Sequence, residues 1–114
     1  EGLMKALKQI GNYIDEENKK GAKILGVYEE GPFISSGKER GAQNLDFQII
    51  PTKKVIDRFN DACNGHLLYV MIAPEMLKGN YAVIDYCVSL GMKVALGHTG
   101  ATLELFPSLI PIMA

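Results

Sequence analysis

Apolar residues recur at three- and four-residue intervals at the start of the chain, where Leu3, Leu7, Ile10 and Ile14 alternate with Lys, Gln and Glu. That spacing predicts an amphipathic helix, with Gly21 placed to end it. The run KILGVY, residues 23–28, is too short for a helix and reads as a buried strand. After a polar, glycine-bearing loop, Thr52 is placed to cap a second helix carrying Val55, Ile56, Phe59 and Cys63 on one face, closed by Asn64 and Gly65. HLLYVMIAPE, residues 66–75, is the clearest strand. Its apolar run is continuous rather than alternating, which predicts burial on both faces, as in parallel sheets covered by helices. Asn80 starts a third helix using Val83, Ile84, Cys87 and Leu90, and Gly91 ends it. KVALGHTG, residues 93–100, is a third strand running into a glycine-flanked histidine. Helix and strand alternate without hairpin signals, so the expected fold is α/β, a parallel sheet with right-handed crossovers.

Composition narrows the setting. The chain has 114 residues, is 47% hydrophobic and 22% charged, and carries a net charge of −1. That suits one globular unit and leaves no room for two full domains. Near-neutral charge gives no electrostatic reason to expect nucleic acid or an anionic membrane as partner. No apolar run approaches the roughly 18–20 residues that span a bilayer, and the first residues lack a secretory pattern. Cys63 and Cys87 fall inside helical stretches, far apart in sequence. They read as small buried apolar residues in a reducing compartment, so a cytoplasmic location is the expectation.

Chemistry gathers at the carboxyl ends of strands in parallel α/β folds, and all three predicted strands end in unusual residues. The first ends at Glu29, Glu30, Gly31 and Pro32, the second at Ala73, Pro74 and Glu75, the third at Gly97, His98 and Thr99. Glu30 and His98 would share one rim, where a carboxylate and an imidazole suit a divalent metal such as zinc. A solvated carboxylate on a turn is the competing reading for Glu30. The glycine beside His98 would let a ligand or a second backbone approach closely. His66 lies at the amino end of its strand, which points to a surface or capping role. Lys38 and Arg40 read either as solvated loop charges or as a grip on an anionic substrate. Glu75 reads equally as a site residue or as a charge favoured at a helix start.

Three ordered stretches, LGVYEEGPFIS with KERGAQN, then APEM, then LGHTGAT, together resemble the N-acetylglucosamine-6-phosphate deacetylase family of the amidohydrolase superfamily. The resemblance runs over residues 3–104 and implies a partial (β/α)8 barrel of about three β/α units. It implies a metal-dependent hydrolase of amino-sugar metabolism, in which a metal-activated water removes acetate from the amide nitrogen of an amino-sugar phosphate. By that resemblance Glu30 and His98 are metal ligands, zinc being expected and iron or another divalent ion possible in its place. Ala42 and Gln43 stand where the family contacts substrate with an Ala-His pair. A glutamine donates a hydrogen bond to a carbonyl but carries no imidazolium charge, so oxyanion stabilisation is expected to be weaker. Tyr28 and Glu29 replace a His and an apolar residue, and the side to which Glu29 points stays open.

The family's aspartate base, a further metal-binding histidine and its phosphate-gripping residues follow the Gly-His motif and find no counterpart here. The expectation is a central segment that is inactive alone, with residues 105–114 as a divergent apolar tail whose prolines forbid a helix interior. An open sheet edge favours a homo-oligomer. The alternative is a non-catalytic oligomeric α/β module that keeps part of a metal or sugar-phosphate site.

Overall fold

The computed structural model describes residues 1–16 and 20–108. Helix α1 spans Gly2–Asp15, strand β1 Val27–Glu30, helix α2 Lys53–Ala62, strand β2 Leu67–Ile72, helix α3 Ala82–Ser89 and strand β3 Lys93–Leu96. The strands form one parallel sheet in the order β1-β2-β3. The α/β alternation with parallel pairing is therefore as the hydrophobic pattern predicts.

Helix ends follow local chemistry. Thr52 Oγ1 accepts a hydrogen bond from the Val55 N–H at 3.2 Å, which satisfies one of the first-turn donors of α2. Asn64 and Gly65 then adopt φ of 56° and 82° and reverse the chain into β2. Helix α1 stops at Asp15, before Gly21 is reached. The stretch from residue 15 to 20 reads DEENKK. It offers no apolar side chain to bury, and its leading carboxylates oppose the negative end of the helix dipole. Helix α3 starts at Ala82, two positions after the expected Asn80, with Tyr81 as its cap.

Strand β1 begins at Val27 rather than at residue 23, and Leu25 is 75% exposed. The chain enters the sheet at Gly26, where an added Cβ would lie 2.4 Å from Leu68 Cγ, so only glycine passes there without displacing that side chain. Val27 lies opposite Leu67 but Tyr28 lies opposite Tyr69, so one residue of β2 is left over as a bulge. Along β1, Val27 and Glu29 are buried while Tyr28 and Glu30 are exposed.

Helices cover one face of the sheet. There Val70 and Ile72 meet Leu7, Ile56, Phe59, Val83 and Ile84, and Phe33 stacks on Phe59 with ring centroids 5.7 Å apart. Cys63 and Cys87 are free and buried in this layer, as small apolar residues are. Burial pushes the Cys87 thiol up to about 11. The expected burial of β2 on both faces is corrected: Leu68 and Tyr69 are 39% and 46% exposed. On the open face Tyr28 and Tyr69 meet edge to face, with centroids 5.8 Å apart. Among the described residues, no helix is long and apolar enough to cross a membrane. The start of the expected tail forms a 3-10 turn, Leu103–Ser108, and the remainder of it lies outside the described residues.

Candidate functional site

Glu30 is the last residue of β1 and points to the open side of the sheet. His98 follows β3 by two residues and holds a positive φ of 48°. Although 68 residues separate them, His98 Nε2 lies 2.8 Å from Glu30 Oε1. The other ring nitrogen, Nδ1, lies 2.9 Å from the Glu39 carbonyl oxygen. A carbonyl only accepts, so Nδ1 carries a proton and Nε2 is the nitrogen presented to Glu30. The Glu39 carbonyl, then the Glu30 carboxylate, raise the His98 pKa above its ordinary value of 6.5. In this arrangement the two groups share a proton at Nε2, and a metal ion would take that proton's place.

The donor chemistry fits a divalent ion as far as it goes. One carboxylate oxygen and one imidazole nitrogen face each other, and the second ring nitrogen is anchored to a carbonyl in the manner of metal-binding histidines. Among the described residues, no group of three or more His, Cys, Asp or Glu side chains gathers to hold a metal. Glu30 and His98 therefore supply two donors.

The loop beyond β1 is stitched to the other strand ends. Gly31 has φ 89° and precedes a cis bond to Pro32. The Phe33 carbonyl accepts from the Ala73 N–H at 2.7 Å, and the Ser35 N–H donates to the His98 carbonyl at 2.8 Å. Gly41 approaches the imidazole, since a Cβ there would lie 3.6 Å from His98 Cε1. Ala42 and Gln43 are exposed on the next stretch. Gln43 reaches back to Gly31, its Cδ 3.9 Å from where a Cβ would be, without a hydrogen bond to Glu30 or His98. The structure thus brings Glu30 and His98 into contact and leaves the Ala42-Gln43 pair beside them.

Glu29 points away from this pair, into the helix layer. It is 6% exposed, and burial alone pushes its carboxyl up to about 7. It borders a cavity of about 530 Å³ with Leu3 and Met4 of α1, Phe47 of the loop, and Val55 and Arg58 of α2. The glycine before His98 has a different role from the one expected: a Cβ on Gly97 would lie 2.8 Å from Met71 Cε, so the glycine makes room for a half-buried methionine on the open face of the sheet. His66 Nε2 contacts Asp15 Oδ1 at 2.6 Å, tying β2's amino end to α1, away from the rim. Lys38 is exposed, whereas Arg40 is half-buried and folds back so that Nη1 donates to the Gly37 carbonyl at 3.1 Å.

Ser35 and the Glu39 carbonyl escaped the sequence reading. A backbone carbonyl leaves no trace in residue identity. The buried Ser35 is signalled only by its place after the apolar pair Phe33 and Ile34.

A parallel α/β sheet with a carboxylate–imidazole pair at its carboxyl rim is the class that fold and site define. No family model matches the chain. Curated relatives are more specific. The chain is 34% identical over 100 residues to the N-acetylglucosamine-6-phosphate deacetylase of Lysinibacillus sphaericus, covering 88% of this chain and 25% of the relative. It is 36% identical over 89 residues to that of Caenorhabditis elegans, covering 75% of this chain and 21% of the relative. Among solved structures, the N-acetyl-D-glucosamine-6-phosphate deacetylase of Mycobacterium smegmatis superposes with a TM-score of 0.79 at 29% identity, over 98% of this chain and 30% of that one. An aspartate-to-alanine variant of that enzyme, in complex with N-acetyl-D-glucosamine-6-phosphate, superposes at 0.80 with 30% identity, over 98% and 28%. In sequence and in fold, the chain is a homologue of one segment of the N-acetylglucosamine-6-phosphate deacetylases. It spans about a quarter of the length of the curated relatives it matches.

Proposed function

We propose that the chain is part of a metal-dependent (β/α)8-barrel amidohydrolase. The reaction is hydrolysis of the acetyl amide of N-acetylglucosamine 6-phosphate to glucosamine 6-phosphate and acetate. The observation that carries this reading is the 2.8 Å contact between Glu30 and His98 at the carboxyl rim of a parallel sheet. The similarity to N-acetylglucosamine-6-phosphate deacetylases supports the choice of reaction and substrate.

A divalent ion, zinc in this proposal, would be held by Glu30 and His98 and would supply the Lewis acidity that amide hydrolysis needs. Glu30 offers a carboxylate oxygen and His98 its Nε2, while the Glu39 carbonyl holds the imidazole in the tautomer that leaves Nε2 free to bind. Gln43 would donate an amide N–H to the substrate carbonyl. Without a charge it stabilises the developing oxyanion less than an imidazolium would. By the family resemblance, the aspartate base that activates the water lies outside the matched segment, so turnover belongs to the complete barrel and the 114-residue chain alone is inactive. A cytoplasmic setting, supported by two free buried cysteines, and self-association through the open sheet edge belong to the same proposal.

A chimera tests this reading. Replacing the matching segment of the Lysinibacillus sphaericus relative with residues 3–104 is expected to leave an active deacetylase with lowered kcat. Gln43→His is then expected to raise kcat. A chimera in which Glu30→Gln leaves activity unchanged would overturn the assignment.

A further inference from the structure

Glu75 stands one residue inside the 3-10 turn Pro74–Leu77 that follows β2. The turn is one residue longer than the minimum, and its cap residue Ala73 makes no side-chain hydrogen bond. A role as a helix-start charge therefore has little helix to act on. Both carboxylate oxygens instead reach the loop that carries His98. Glu75 Oε2 accepts from the Thr99 hydroxyl, and Oε1 accepts from the Gly100 N–H at 2.8 Å. The Thr99 oxygen in turn accepts from the Ala101 N–H at 2.9 Å, closing the loop on itself.

His98 needs such restraint. Its φ of 48° is a left-handed conformation that a side chain with a Cβ adopts when its surroundings hold it. On one side the Ser35 N–H grips the His98 carbonyl at 2.8 Å. On the other, the next two residues are gripped by Glu75. Burial works to raise the Glu75 carboxyl, but the hydrogen bonds from Thr99, Gly100, its own N–H and Ser35 overcome it and hold the group below the ordinary carboxylate range. The carboxylate is thus the ionised acceptor that these donors need.

We propose that Glu75 is a positioning residue: through Thr99 and Gly100 it clamps the loop after β3 and so presents His98 Nε2 to Glu30. The proposal rests on the metal reading given above for its link to function, while the clamp itself is a property of the metal-free protein. The backbone restraint passes from the end of β2 to the imidazole without any contact between Glu75 and the metal position.

The test uses the 114-residue chain in two measurements, zinc titration by competition with a chromophoric chelator and imidazole proton–nitrogen spectra without metal. Thr99→Val and Glu75→Ala are expected to weaken zinc binding about tenfold, within the range seen when partners of metal ligands are removed. Thr99→Ser, which keeps the hydroxyl, is expected to bind as the wild type does. Because both substitutions break one path, the double variant should bind no more than marginally worse than the weaker single variant. In the metal-free spectra, the Nδ1–H signal of His98 should be sharp in the wild type and broadened by Thr99→Val. Zinc affinity and ring signals unchanged in Thr99→Val would overturn the proposal. If Glu75→Ala fails to fold, Glu75→Gln takes its place, since its oxygen still serves Gly100 and only the Thr99 arm is weakened. If the wild type binds no zinc, the metal reading fails, and an unchanged His98 ring signal in Thr99→Val would still refute the clamp independently.

Discussion

Glu29→Leu should change how stability depends on pH. In the folded chain the Glu29 carboxyl sits among apolar groups without a hydrogen bond, and burial raises its pKa from 4.5 to about 7. An unfolded chain releases this proton near 4.5, so between those values the native state holds a proton that the unfolded state has lost. Stability then falls as pH rises through this window and levels above it. A difference of two and a half units at 1.36 kcal/mol per unit is roughly 3 kcal/mol of stability lost by pH 8 relative to pH 4. Leucine has similar bulk and no charge to desolvate, so the variant lacks this loss. His98, whose pKa is also raised, loses stabilisation in the same direction, but it does so in both proteins. The diagnostic quantity is therefore the gap between Glu29→Leu and wild type, measured by urea unfolding with a chelator present. It should widen by roughly 3 kcal/mol from pH 4 to pH 8. A gap that stays constant with pH would refute the reasoning, because it would mean that Glu29 finds a partner when ionised. Arg58, which lines the same cavity, is a cation that could serve in that outcome.

Helix contacts give further expectations. Gly11→Ala places a Cβ 2.6 Å from the Cys63 carbonyl carbon, so α1 must lift from α2. Thermal unfolding should show a loss on the order of 3 kcal/mol, whereas Gly2→Ala, with nothing within 4 Å, should cost nothing. Thr52→Ala removes the acceptor for the Val55 N–H and should cost about 1 kcal/mol in urea unfolding, with Thr52→Ser close to wild type.

Much of this organisation is legible in the chain because it is written in local chemistry. Helix α2 shows its cap in Thr52, its buried face in Ile56 and Phe59, and its stop in Asn64 and Gly65. The rim residues Glu30 and His98 are legible from strand ends and motif order. What escapes is set by tertiary register. The start of β1 depends on where Gly26 can pass Leu68, which no property of residues 23–28 announces. The direction of Glu29 follows from that start, since Glu29 alternates in step with buried Val27, while the bulge in β2 sets Leu67 and Val70, three residues apart, on the same buried face. The exposure of Leu68 and Tyr69 depends on what covers the sheet, and a continuous apolar run is equally a signal for a face that awaits a cover. Glu75 was readable as a charge at a strand end, but its partners Thr99 and Gly100 come from a distant loop.

Whether Glu30 and His98 hold a metal ion is the central claim, and calorimetric titration of zinc into the 114-residue chain addresses it directly. The account predicts one site per chain, weak because two donors hold it, with affinity rising as pH passes the raised pKa of His98 and a proton leaves Nε2. His98→Ala and Glu30→Gln should each abolish that binding while leaving the circular dichroism spectrum intact. Zinc binding of equal strength in His98→Ala would contradict the account.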